Sequence, residues 1–79
     1  MRLDKYLKVS RIIKRRTIAN EVCDAKHVSV NGKKARASYE VKLDDVIEVS
    51  MGSNIIKVQV LSLNETADKN TALTMYKTL

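Results

Sequence analysis

The chain has 79 residues, 44% hydrophobic and 30% charged, with fifteen Lys/Arg against nine Asp/Glu and a net charge of +6. That length holds one domain with a small core, burying about 60–65% of the surface its unfolded form exposes. One cysteine leaves no internal disulfide, and no stretch approaches the roughly 20 apolar residues that span a bilayer, so neither a stapled secreted scaffold, a signal peptide nor a membrane span is expected, and a cytoplasmic protein is.

The charge is concentrated in one half. Residues 1–42 carry twelve Lys/Arg against four Asp/Glu, a net +8, whereas residues 43–79 carry three against five, a net −2. Such asymmetry points to a partner bearing phosphates. An anionic membrane is the weaker reading, because the cationic stretch lacks the exposed bulky apolar face that interfacial insertion needs.

In chain order, Leu3 and Leu7 stand four apart and predict a first helix over Leu3–Val9, with Asp4 in its first turn. Ser10–Ile13 reads as a turn with the apolar pair Ile12 and Ile13 tucked beneath. A second helix is expected from Arg15 to Asp24, with Ile18, Ala19, Val22 and Cys23 inward and Arg15, Arg16 and Asn20 outward. Seven cations lie between positions 2 and 16: Arg2, Lys5, Lys8, Arg11, Lys14, Arg15 and Arg16.

From Val28 the period changes to two. Val28–Val30 predicts a strand, and Asn31-Gly32 a tight turn. Lys33–Ala37 reads as either a short edge strand or an extended loop. Val41–Asp45 is a turn before a strand over Val46–Val49, Gly52–Asn54 a hairpin turn, and Ile55–Leu61 the longest strand. Glu65–Tyr76 is read as a terminal helix with Ala72, Leu73 and Tyr76 on one face, although Thr66, Asn70, Thr71 and Thr74 are poor helix formers.

Catalysis finds little support. Lone Cys23 and lone His27 make no metal cluster, the carboxylates are scattered, and there is no glycine-rich phosphate loop, so no enzyme, metal or cofactor is expected. Cys23 beside Val22 reads as a small core residue. His27, at the helix-to-strand junction, suits a cap or a phosphate contact.

With no Phe, no Trp and three Tyr, stacking on splayed bases is not expected either. Recognition then rests on phosphates and the shape of a folded duplex. Arg2, Arg15 and Arg16 suit this best, since a guanidinium grips a phosphate through two parallel hydrogen bonds. Lys5 and Lys8 continue the charge along the first helix, and Lys33, Lys34 and Arg36 form a second cluster past the turn. Asp4, the only acid among the first twenty residues, has two readings. It either complements the helix dipole, worth about 0.3–1 kcal/mol, or it orients Arg16 or Arg2, or accepts a hydrogen bond from a ribose 2′-OH or a base amine.

Taken together, Arg2-Leu3-Asp4 with Leu7, Arg16 with Ala19, Val28–Gly32 and Asp45–Val49 resemble the RNA-binding domain first known from ribosomal small-subunit protein four, the alpha-L motif, over residues 1–50. The resemblance implies an α+β fold: two short helices packed on a small antiparallel sheet, with RNA gripped by the helix pair and the adjoining strand loop. With the strands read above, residues 1–62 are expected to be the RNA-binding domain and 63–79 a part-helical extension. Such domains usually carry glycine where this chain has Lys26 and Asp44, positions that favour positive φ. Within this domain type the chain is similar to the RqcP family of bacterial ribosome quality-control factors, with small ribosome-associated heat-shock proteins as relatives. That similarity implies a monomer on stalled large ribosomal subunits, contacting large-subunit rRNA and P-site peptidyl-tRNA while an RqcH-like tailing factor adds C-terminal alanine. A general heat-shock subunit binder, or a targeting module for a separate modifying enzyme, stands as the alternative.

Overall fold

The computed structural model of the chain describes residues 1–65 and 68–79. Helices α1 (Leu3–Val9) and α2 (Arg16–Asp24) precede strands β1 (Val28–Val30), β2 (Lys33–Lys34), β3 (Val46–Met51) and β4 (Asn54–Val60); one helical turn, α3 (Lys69–Ala72), and strand β5 (Tyr76–Thr78) follow. The strands form one antiparallel sheet in the order β2-β1-β3-β4-β5.

Two tight turns set its register. Asn31 and Gly32 both have positive φ, 53° and 85°, the requirement of a type I′ hairpin, and Val30 pairs with Lys33 across them. The Asn31 side chain also bridges forward: its Oδ1 accepts from Val46 N at 2.9 Å and its Nδ2 donates to Asp45 Oδ1 at 3.0 Å. Gly52, at φ 62°, begins the second two-residue turn, so that Met51 faces Asn54 and β4 starts one residue earlier than its apolar run.

Period-two alternation then divides the sheet. Val28, Val30, Ile47, Val49, Val58 and Val60 point to one face and are buried with Leu3, Tyr6, Leu7, Ala19 and Cys23 of the helices. The opposite face carries Ser29, Glu48, Lys57 and Gln59 in register. The N-terminal segment is tied to residues 37–41: Leu3 N donates to Tyr39 O at 2.8 Å, Val41 N to Met1 O at 2.9 Å, and the Met1 ammonium pairs with Glu40.

Three details of the sequence reading change. The inward stripe of α2 is Ala19 and Cys23; Ile18 is 40% exposed and Val22 only half-buried. The small pair lets α2 approach α1 closely, which larger residues at those positions would prevent. Arg15 is extended and stands before the helix (φ −118°).

The third change is at the C-terminus. Helix there is confined to Lys69–Ala72, and Tyr76 opens β5, pairing with Val60; Thr66 and Ala67 of the expected helix lie outside the described residues. Asp68 caps α3, accepting from Thr71 N at 2.8 Å, while Thr74 Oγ1 donates to Thr71 O at 2.7 Å and draws the chain out of helix. The chain then supplies the partner that the polar edge of β4 needs. Met75 is fully buried, and its carbonyl accepts from Tyr6 Oη at 2.8 Å, Leu61 N at 2.8 Å and Ser62 N at 3.1 Å.

Candidate nucleic-acid interface

The site is built where α1 meets α2, around Asp4. This residue is 2% exposed, and Lys5, Asn20, Arg16 and Arg2 all donate to its carboxylate. Lys5 N donates to Oδ1 at 2.8 Å and Asn20 Nδ2 to Oδ2 at 3.2 Å. Arg16 Nε lies 3.4 Å from Oδ2 and Arg2 Nε 3.3 Å from Oδ1. Burial alone would raise the Asp4 pKa; the Asn20 amide, the Arg16 guanidinium and the Lys5 N–H outweigh it and hold the carboxyl below its ordinary value.

The two arginines remain about half exposed, at 49% and 48% of their side chains. One edge of each guanidinium rests on the buried acid while the rest faces solvent. An acid so placed fixes the direction of two cations without hiding them. Both readings of Asp4 therefore meet: it lies in the first turn of α1, and it orients Arg2 and Arg16. Arg16 and Asn20 are four apart and share one face of α2; with Thr17, Glu21 and Asp4 they line an open depression of about 400 Å³. Asn20, Thr17 and Glu21 are not among the expected binding residues; the i, i+4 spacing from Arg16 points to Asn20, and no comparable spacing from Arg16 points to Thr17 or Glu21.

The remaining expected residues fall into three groups. Lys8, one turn beyond Asp4 on α1, and Lys14 and Arg15, just before α2, are exposed beside the Asp4 cluster. Arg36 is exposed and adjoins Ala37, whose carbonyl accepts from Asp4 N at 3.2 Å and whose N–H donates to Asp24 Oδ1 at 3.1 Å, so the second basic cluster is joined to the helix pair through Ala37. Lys33 and Lys34 form the edge strand β2. Asp45 steadies this side: it accepts from Tyr39 Oη at 2.8 Å, Lys42 N at 2.9 Å and Asn31 Nδ2 at 3.0 Å, and these bonds hold its carboxyl below its ordinary value despite burial. Lys5 and Arg11 are different. Lys5 Nζ is 3.2 Å from Glu65 Oε1, and Arg11 is exposed at φ 63°; hydrogen bonds from Thr71 first, and the Arg11 charge least, hold the Asp68 carboxyl below its ordinary value. Cys23 is 1% exposed, and burial pushes its thiol up to about 12, so it is a core residue and not a reactive one.

A basic helix pair seated on a five-stranded antiparallel sheet, with a buried acid aligning two arginines, defines the class: an S4-type RNA-binding domain. The S4 domain family matches residues 1–47. Over its whole length the chain is 51% identical to the RQC P-site tRNA stabilizing factor of Bacillus subtilis, covering 92% of that protein, and 98% of it is matched at 48% identity by the factor of the same name from Streptococcus pneumoniae, covering 88% of that one. The chain belongs to the family of RQC P-site tRNA stabilizing factors. In structure it is similar to the trimeric Heat Shock Protein 15 of Vibrio cholerae, with a TM-score of 0.92 at 24% identity covering 100% of this chain and 81% of that one, a likeness of fold alone. The solution structure of hypothetical protein HP1423 aligns with a TM-score of 0.85 at 28% identity, covering 100% and 96%.

Among the described residues no helix is long and apolar enough to cross a membrane, and no group of three or more His, Cys, Asp and Glu is placed to hold a metal ion.

Proposed function

We propose that this chain is a non-catalytic, cytoplasmic RNA-binding factor that acts as a monomer on stalled large ribosomal subunits and steadies P-site peptidyl-tRNA during ribosome quality control. The observation that carries the reading is the Asp4 cluster: Arg2 and Arg16 held 3.3–3.4 Å from one buried carboxylate and still open to solvent. Two cations aligned in advance suit the fixed phosphate spacing of folded RNA better than a diffuse basic surface does. The names of the full-length relatives supply the setting, P-site tRNA.

Large-subunit rRNA and the tRNA then meet the face bearing Asp4, Arg2, Arg16, Lys8, Lys14 and Arg15, with Lys33, Lys34 and Arg36 extending it. Residues 1–62 carry the RNA contacts, and residues 63–79 are an extension folded against them. While tRNA is steadied, an RqcH-like partner carries out alanine tailing of the stalled chain.

Gradient sedimentation of the tagged protein from cells with stalled translation tests this. The expected result is comigration with free large subunits, with peptidyl-tRNA in the same fractions and loss of both on Arg16→Ala. Comigration with large subunits lacking tRNA would instead make it a general heat-shock subunit binder. Recovery with a protein partner and no ribosomal subunit would make it a targeting module.

A further inference from the structure

We infer that Glu65, held on the far flank of α1 by the C-terminal loop, withholds Lys5 from RNA and is a specificity-determining residue that confines binding to the α2 side of the helix. The inference rests on the proposed function, in that RNA is taken to lie against α1 and α2. Leu3, Asp4, Tyr6 and Leu7 are the buried residues of α1, so its outer ridge is formed by Lys8 and Lys5. On one flank of that ridge stands α2 with Arg16. On the other, Tyr6 Oη and the N–H groups of Leu61 and Ser62 all donate to the Met75 carbonyl, which draws both ends of the C-terminal loop together against α1.

This anchored loop brings Glu65 Oε1 to 3.2 Å from Lys5 Nζ across 60 positions of sequence. An acid on the border of a cationic face has two effects on an RNA partner. It neutralises a cation that a phosphate would otherwise take, and it repels any phosphate backbone that wraps past the ridge. A generic duplex, which gains affinity from every one of its phosphates that the protein neutralises, is penalised. A folded partner that fits the Arg2 and Arg16 side is not.

The test compares Glu65→Gln with Glu48→Gln in the full-length protein. Glu48 is an acid of equal charge on the outer sheet face, directly opposite Lys57 and remote from the helices. Affinity is measured for a generic duplex RNA across a salt series and for large subunits carrying P-site tRNA. Glu65→Gln is expected to tighten duplex binding several-fold and to steepen its log–log salt dependence by about 0.9, one phosphate's worth. Affinity for the large subunits should rise less, and Glu48→Gln should alter neither. Equal gains from both variants would show that net charge alone matters and would overturn the inference, as would an unchanged duplex affinity or equal gains on both RNAs for Glu65→Gln. If the wild type fails to bind large subunits while Glu65→Gln still gains selectively on duplex, the proposed function falls and the border role of Glu65 stands.

Discussion

Asp4 carries charge and stability at once. Its carboxyl titrates below the ordinary value of 3.8 because Asn20, Arg16 and Lys5 N–H outweigh the cost of burial. A depressed folded value means that the stabilisation is fully present above the unfolded value and is lost as pH falls from there through the lower folded one. The melting temperature should therefore drop on acidification below about pH 4, and Asp4→Asn should remove part of that dependence while the other depressed carboxyls, the buried Asp45 foremost, retain the rest. Thermal melts of both proteins across the acid range check this. Arg16→Ala should weaken RNA binding by about 1.5–3 kcal/mol, the range for hydrogen bonds to charged groups. It should also lower the melting temperature modestly, since a buried carboxylate loses a partner. Asp4→Arg should weaken specific ribosome binding despite its added charge, because the acid aligning two arginines is gone; paired binding assays on large subunits and on generic duplex RNA measure it.

At the scale of the element, the ends of the helices are the informative places. α2 closes in a Schellman motif: Lys26 N donates to Cys23 O at 3.0 Å and His27 N to Val22 O at 3.0 Å, with Lys26 at φ 67°. Glycine is the usual occupant of that left-handed position, and a residue with a Cβ costs about 1–2 kcal/mol there. Against this, glycine loses about 0.4–1 kcal/mol more chain entropy on folding. Lys26→Gly should therefore stabilise the protein by roughly 0.5–1 kcal/mol, read as a rise in the denaturation midpoint. Asp44, at φ 69°, should gain less, because aspartate tolerates this region and its Oδ1 accepts from Gln59 Nε2 at 3.3 Å.

The molecule as a whole separates a charged helical layer from a sheet that holds it in place. If five to eight phosphates are neutralised, log affinity should fall against log salt with a slope of about −4.5 to −7. The engagement of Lys5 by Glu65 places the expected value toward the shallow end, and a salt titration with structured RNA measures it. The link between layers is also testable. Tyr6→Phe removes one of three donors to the Met75 carbonyl and should cost about 0.5–1.5 kcal/mol. Hydrogen exchange should quicken first in β5, whose only strand neighbour is β4.

Much of this was legible along the chain. Leu3 and Leu7, the Asn31-Gly32 dipeptide and the alternation of Val46–Val49 specify α1, the first hairpin and β3, because helix period, turn chemistry and strand alternation are properties of neighbours. The left-handed backbone at Lys26 and Asp44 could be expected only by resemblance to domains with glycine there. Tertiary structure alone decided which side of α2 turns inward, since Ile18 and Ala19 both satisfy a helical stripe and only the close approach of α1 selects the smaller one. It confined the expected C-terminal helix to Lys69–Ala72 and drew Tyr76 into β5, because an open edge of β4 offered hydrogen bonds that weak helix formers do not match. It also sorted the cations, setting Arg2 and Arg16 on Asp4 and Lys5 on Glu65. Charge pairing across 12 or 60 positions depends on where packing brings the backbone, and no local pattern carries that information.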